Sequence, residues 1–525
     1  MTAPITAPGI SDMTSLPGNF LYIVWGAGNR SNATMPNSVW VCGDSNGTAT
    51  SDGTGLYGPD TATPLRTYQD AVTLFGVHSE LTQFFREFTA VNQDAQIYVT
   101  PISDTGTKGT VTITVAGTAA TIANSVTLSV NGYKLQVPVA VGDTPTTLGA
   151  TISTMVNMLA REITAANVTG VVTVTAGSAG ARNTPNAAAV FTQKDPGAGA
   201  LTITVAAGTA GTSTISTSAA SAIATMGANK FYYQVMLLGF DESSITATVV
   251  AHSTNLNTQS LPLNDNRCRG FAGFRGKSTD ALYATQFGLG TGALATSVNN
   301  PLYEAVWAPA NDNTIAHVLA RYVAWVSLIE VQSPVTQALN LNYLGLARLG
   351  GFQTQGQLFA APRSRYTETK TAYNTALNSG VTCIGYQNGQ AYLMRRVTSD
   401  AWDPVNSVSF FNIRDPHKVF LGHRFALDLQ NVLATWTANK QIGDDPEDPN
   451  DPIPPATATP LSVAGGISNL INKYGGLGLV QNSAAAIQNM NIQRGQSVRT
   501  RFEIKIPLVF ADICNQFVTE LDQVG

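Results

Sequence analysis

Apolar positions follow different rhythms along this chain, and the rhythm changes at definite places. From 36 to 104, short apolar runs alternate with helix-spaced stretches. Ser38–Cys42 has strand length and composition, Tyr68–Phe75 and Ser79–Val91 read as helices with Ser79 as N-cap, and Ala95–Pro101 reads as a buried strand. Between Gly106 and Asn229 strict Thr/Val/Ile alternation takes over, at Thr110–Val115, Val126–Val130, Lys134–Val139, Val171–Thr175 and Leu201–Val205. Among these strands one helix is predicted over Thr146–Ile163, with Leu148, Ile152, Met155, Leu159 and Ile163 at helical spacing. Val111-Thr-Ile-Thr-Val-Ala-Gly-Thr-Ala is echoed by Leu201-Thr-Ile-Thr-Val-Ala-Ala-Gly-Thr-Ala, which suggests a first and a last strand of similar role.

Beyond residue 229 the first rhythm returns. Strands are expected at Phe231–Leu238, Cys268–Phe274, Tyr303–Trp307, Val381–Tyr386 and Ala391–Val397, the last two around an Asn388-Gly389 hairpin turn. Helices are expected at Ser243–Thr258, Thr279–Phe287, Thr314–Val331 and Asp415–Asn439. Residues 443–460 are rich in Pro and Asp and read as a linker or exposed loop. After a short helix at Leu461–Lys473, Arg499–Val509 alternates cleanly, with Phe502, Ile504, Ile506 and Leu508 on one face. It reads as a solitary strand needing a partner sheet.

The fold class read from this is α/β (α+β) and multi-domain: a helix-flanked mixed sheet core, an inserted β-rich domain, and extended N- and C-terminal arms. The divisions are 1–35, an N-terminal arm with a linking strand at Phe20–Trp25; 36–104, the first stretch of the core; 105–228, the insert; 229–442, the second stretch of the core; 443–460, the loop; and 461–525, a C-terminal domain with an arm strand.

Composition narrows the function. Only 12% of the 525 residues are charged, and the net charge is −4. So neutral a polar surface offers little repulsion between copies, which suits self-packing. No Lys/Arg run or basic stripe supports direct nucleic-acid binding. Cys42, Cys268, Cys383 and Cys514 are far apart and form no zinc pattern, so reduced thiols are expected. The first residues lack the charged and apolar regions of a signal peptide, and no apolar run approaches a membrane span.

The leads to chemistry are weak. Gly270-Phe-Ala-Gly273-Phe-Arg-Gly276-Lys277-Ser278 sits between strand and helix, but its spacing from either glycine to Gly-Lys-Ser is wrong for a phosphate loop. Gly43-Asp-Ser45-Asn-Gly47 matches a nucleophile elbow, yet a long loop rather than a helix follows Ser45. The glycine clusters at 288–292 and 475–478 open no convincing dinucleotide unit, and His417 and His423 are predicted to face different ways on one helix. The acidic residues Asp444, Asp445, Glu447, Asp448 and Asp451 lack calcium-loop spacing, and the six tryptophans read as core, with interface anchoring the alternative for Trp25. No catalytic residue, cofactor or metal is therefore assigned.

Several stretches together resemble the contractile bacteriophage tail sheath family, especially sheaths of Mu-like phages. They are Leu16-Pro-Gly-Asn-Phe20; Tyr68 to Gly76, ending Phe-Gly; Phe84-Phe85 with Ala95–Pro101; Gly142–Thr144 and Gly180-Ala-Arg-Asn183 in the insert; Pro301–Pro309; and Ala391–Val419. Arg-Val-Thr-Ser near residue 397 and the 443–460 loop depart from the family pattern. The resemblance implies a structural subunit that polymerises as stacked hexameric rings around a tail tube and contracts without ATP to drive the tube into the host envelope. It implies as partners further copies of the chain, a tail tube protein, and baseplate and tail terminator proteins, with no direct nucleic acid and no membrane insertion. The implied location is the virion, after synthesis in the host cytoplasm. Arm strands would complete neighbouring sheets; the candidates are Phe20, Leu21, Tyr22, Ile23, Val24 and Trp25 at one end and Phe502, Ile504, Ile506 and Leu508 at the other. The competing readings are a tail fibre or other receptor-binding virion protein, suggested by the Thr-rich insert, and an NTP-dependent enzyme resting on Gly276-Lys277-Ser278.

Overall fold

The computed structural model describes residues 37–214, 217–238, 246–261, 266–280, 297–332, 368–387, 390–403, 413–437, 440–448, 456–496 and 500–510, with short pieces between them. The Phe20–Trp25 strand, Cys514, Gly288–Gly292 and all of the predicted Thr279–Phe287 helix but Thr279, Asp280 and Tyr283 lie outside these residues.

The core is a seven-stranded sheet built from β1 (Ser38–Asp44), β2 (Gln96–Ile102), β10 (Tyr233–Met236), β11 (Arg269–Phe274), β12 (Tyr303–Trp307), β13 (Val381–Gln387) and β14 (Gln390–Arg395). Its order is β14-β13-β12-β11-β10-β1-β2, parallel throughout except for the β13–β14 hairpin. Helices cover both faces, so successive side chains of each strand enter different cores. Val39, Val41, Ile97, Val99 and Val235 pack with α1 (Tyr68–Phe75), α2 (Glu80–Thr89) and α6 (Ile315–Gln332). Trp40, Cys42, Met236, Ala272 and Trp307 pack on the other face with α4 (Thr217–Ala228), α5 (Thr246–Gln259) and α7 (Lys370–Asn378).

The helix starts follow local chemistry. Thr67 and Asp70 form a reciprocal capping box on α1, and the Ser79 side chain accepts from the Thr82 N–H at the start of α2.

Between β2 and α4 the chain builds a separate body with its own core. One sheet runs β6-β7-β3-β9: Ile163–Val168, Val171–Ala179, Lys108–Ala116 and Thr202–Val205; the other runs β5-β4-β8: Tyr133–Val139, Asn124–Val130 and Ala187–Phe191. The two echoing segments are antiparallel neighbours, with Ile113 opposite Val205 and Val115 opposite Ile203. Two expectations need correction. The predicted 146–163 helix is α3 (Pro145–Met158); left-handed Ala160 breaks it, and Ile163 opens β6 instead. α4, assigned to the insert by the 105–228 boundary, buries Ala219, Ala222, Ile223 and Met226 in the core.

The long helix α8 (Pro416–Thr437) ties the bodies together. It places Val419 in one core cluster, Phe420 and Leu421 in the other, and Phe425 and Leu429 in a C-terminal cluster. The Pro/Asp loop is closed at its base by β17 (Gln441–Ile442) pairing parallel with β18 (Thr457–Ala458), so the 443–460 segment is not wholly irregular. α9 (Pro460–Gly476) and α10 (Ser483–Gln488) follow. β19 (Val480–Gln481) pairs with β22 (Val509–Phe510), and β20 (Asn491–Arg494) with β21 (Phe502–Lys505). A short β15 (Trp402–Asp403) and β16 (Val408–Ser409) pair precedes α8.

Candidate functional site

At the Gly-Lys-Ser sequence, the amides that a phosphate would need are already used. The Lys277 N–H donates to Asp280 Oδ2 at 2.6 Å, the Ser278 N–H donates to Glu368 Oε1 at 2.7 Å, and the Ser278 hydroxyl also reaches Glu368. Two carboxylates therefore fill the anion-binding face of the turn. At the elbow sequence, Ser45 is buried, its N–H donates to the Ile102 carbonyl at 3.1 Å, and its hydroxyl lies 3.5 Å from the Gly47 N–H. The Gly47 end abuts the Leu74 carbonyl, where a Cβ would fall 2.2 Å away. Gly475 and Gly476 end α9, and Gly478 turns the chain at φ 68°.

The histidines are dispersed. Burial lowers His252 to about 3, with its ring against Tyr303 and Gln234. His423 faces the Tyr232 hydroxyl at 3.2 Å, and burial lowers its pKa. Among the described residues no group of three His, Cys, Asp or Glu is placed to hold a metal ion. Asp444 meets Arg494 at 3.0 Å, and Asp445 accepts the Leu461 N–H at 2.8 Å at the start of α9. Trp40 and Trp307 are buried core residues, whose indole N–H groups donate to Thr100 Oγ1 and the Gly276 carbonyl.

Among the described residues, three buried charge clusters, none anticipated from the sequence, dominate the polar interior. The first joins the sheet to α6. Arg269, Arg396, Glu304 and Glu330 are each at most 1% exposed. Arg269 contacts Glu330 at 2.7 Å and also Glu304, and Arg396 contacts Glu304 at 2.7 Å and Glu330 at 3.3 Å. The Tyr233 and Tyr322 hydroxyls add hydrogen bonds to Glu330 Oε2 and Glu304 Oε2 at 3.0 and 2.8 Å. Burial alone would raise the Glu304 carboxyl, but Arg396 and Arg269 hold it below its ordinary value. Two positive and two negative charges cancel here.

The second and third clusters bind the insert to the core. Glu87 on α2 meets Arg161 of the insert and, at 2.6 Å, Arg321 of α6, with His317 at 3.7 Å. Burial opposes its charge, yet these cations hold it at about 2. Nearby, Asn313 donates to the Asn131 carbonyl at 2.8 Å.

The other joint lies at the carboxyl ends of β1 and β2. Here Asp44 ends β1, Glu80 starts α2 and Asp104 follows β2. Arg182, from a single helical turn of the insert (Ala181–Asn183), lies fully buried among them. Its guanidinium donates to both Glu80 oxygens at 3.1 Å and to Asp104 at 3.4 Å. Asn183 donates to Glu80 at 2.9 Å and Asn46 to the Gly177 carbonyl at 2.8 Å. A Cβ on Gly177 would lie 1.7 Å from the His78 carbonyl oxygen, so only glycine permits this approach. The space at the carboxyl ends of β1 and β2 is thus filled by the chain's own arginine.

The predicted C-terminal arm residues divide. Phe502 and Ile504 lie in β21, with Ile506 and Leu508 just beyond, and all four are half-buried against the C-terminal cluster. The strand is not solitary: β20 of the same chain pairs with it, Ile492 opposite Ile504. Glu503, on the opposite face of the strand, is buried and accepts from Gln493 and Arg501 at 2.9 Å each. Among the described residues this sheet has two strands only.

No family model and no curated protein matches the chain. Among solved structures, a sheath tail protein from Listeria innocua aligns with TM-score 0.45 and 12% identity over 92% of this chain and 94% of its own. A sheath tail protein from Desulfitobacterium hafniense aligns with TM-score 0.41 and 12% identity over 94% of this chain and all of its own. Both scores lie below 0.5. No helix among the described residues is long and apolar enough to cross a membrane.

Proposed function

We propose that the chain is the structural subunit of a contractile phage tail sheath. In this reading copies stack as hexameric rings around a tail tube, meet baseplate and terminator proteins at the ends, and contract to drive the tube through the host envelope. The subunit does no covalent chemistry and resides in the virion after synthesis in the host cytoplasm.

The observation that carries the reading is the β20–β21 pair. A two-stranded sheet is marginal by itself, and strand addition at its edges would both stabilise it and join copies. The alternating residues Phe502, Ile504, Ile506 and Leu508 already seat one side of it on the C-terminal cluster. The Phe20–Trp25 segment has the length and apolar character of the added strand. Main-chain bonds of this kind tolerate rotation of the rigid bodies they connect, which contraction demands. The long helices α6 and α8 weigh against a fibre-type adhesin.

Sedimentation velocity of the full chain and of a variant lacking residues 1–35 tests this. The full chain should sediment as large polymers and the shortened chain as small species. Equal polymerisation by both would refute arm-mediated assembly, and discrete trimers would favour the fibre reading.

A further inference from the structure

The joint at the carboxyl ends of β1 and β2 is uneven in its charges. Among the described residues, three buried carboxylates, Asp44, Glu80 and Asp104, surround one cation, Arg182. Glu80 is saturated: it accepts from Arg182, from Asn183 and from the Asp44 N–H at 2.6 Å. Asp104 is saturated as well, accepting from Arg182, the Ser213 hydroxyl at 2.5 Å, the Thr214 N–H at 2.9 Å and the Gly106 N–H at 3.0 Å. Asp44 accepts the Asp104 N–H at 3.0 Å and borders Ser178, but the guanidinium contacts fall to its two neighbours. It is the carboxylate least compensated by the one cation available.

This cluster also sits at the neck of the insert. The chain leaves the core at Asp104–Gly106 and returns at Ser213–Thr214, and the two passages are stitched by Thr105–Thr214 and Thr107–Thr212 hydroxyl contacts at 2.8 and 2.9 Å. Every group in the cluster comes from one side of the neck or the other: Asp44, Glu80 and Asp104 from the core, Ser178, Arg182 and Asn183 from the insert.

The geometry points to a proton-operated latch: the Asp44–Glu80–Asp104–Arg182 cluster takes up a proton as the insert seats on the core, so that mild acid holds the insert down and neutral pH loosens it. Among the described residues, the groups facing Asp44 are Glu80 on α2, Asp104 after β2, and Ser178 and Arg182 of the insert, with Cys42 two residues earlier on β1. Burial raises Asp44, and the nearby Glu80 charge adds to this, placing it at about 6; burial likewise keeps Cys42 a neutral thiol. A carboxyl with a raised value in the seated state contributes most below its ordinary pKa of 3.8 and loses that contribution as pH rises to about 6. Above that the response is flat. The Glu87 joint has the opposite character, staying charged down to about 2, so it supplies a fixed attachment beside the adjustable one. The latch requires no assembly and stands apart from the sheath reading.

Hydrogen exchange of the full chain, corrected for intrinsic pH dependence, reads this directly at peptides spanning 104–110 and 177–184. Protection should rise about tenfold between pH 7.5 and pH 5.0. Asp44→Asn should hold the acid level of protection at both pH values. Equal protection of the wild type at both pH values, or an unchanged pH response in Asp44→Asn, would overturn the latch. Should that variant fail to fold, the wild-type pH series and Asp44→Ser give the same decision.

Discussion

In the seven-stranded core, helices cover both faces of the sheet, and the four charges that meet around Arg269 and Arg396 are balanced two against two. In the insert, β3 buries every second residue, as Val111, Ile113 and Val115 show, and the buried charges Glu162 and Arg182 lie beside the two joints to the core. The core therefore depends on matched charge partners, whereas the insert depends on alternation and on the two joints that fasten it down. The difference suggests that a single lost partner harms the core more than a single lost methyl group harms the insert.

The largest effect should come from the core cluster. Arg396→Ala leaves two buried carboxylates short of a cation and should cost about 3–5 kcal/mol in urea unfolding. A loss below that of an average surface substitution would show the cluster to be dispensable. Next, Leu128→Ala, in the wholly buried centre of β4, should cost roughly 2–5 kcal/mol. This loss should fall on the insert alone: exchange protection should drop in 108–205 while the 233–274 strands keep theirs. Loss in both regions would mean that insert and core unfold as one unit.

Acid should widen the contrast. Burial raises Asp400 to about 6, so core stability is fullest below 3.8 and falls as pH climbs towards 6. The Asp400 share of the gain between pH 7 and pH 4 should be about 2 kcal/mol, and Asp400→Asn should remove that share while leaving the part due to Asp44. Glu87 runs the other way: its contribution is complete above 4.5 and disappears as pH falls through about 2. The smallest effect is expected at Thr144, whose side chain caps α3; Thr144→Ala should cost about 1 kcal/mol, seen as faster exchange in α3 alone.

Much of the fold is legible in the sequence because its signals are local. Val39–Cys42 and Val381–Cys383 read as buried strands from a handful of residues, and the Thr/Val alternation of β3, β4 and β7 announces a different kind of sheet. α4 escapes a periodicity reading because its first six residues, Thr-Ser-Ala-Ala-Ser-Ala, offer no large apolar side chain, leaving only Ile223 and Met226 to mark the buried face. α7 escapes it for a related reason: only Tyr373 and Ala376 of its nine residues are buried. The charge clusters are illegible in principle. Arg269, Glu304, Glu330 and Arg396 are spread over more than a hundred residues and meet only through strand order. Arg182 belongs to the Gly-Ala-Arg-Asn stretch that carries the family resemblance, yet nothing local in it points to Glu80 across the neck of the insert. The 499–509 strand is recognisable, but its partner β20 has only Ile492 as a large apolar residue and gives no strand signal.

If this subunit is built to be joined to copies of itself through strands at its ends, the purified full chain should polymerise without help. Negative-stain microscopy tests that most directly. Hollow, ridged tubes of uniform width are expected; a field of discrete single particles at every concentration would contradict the sheath reading.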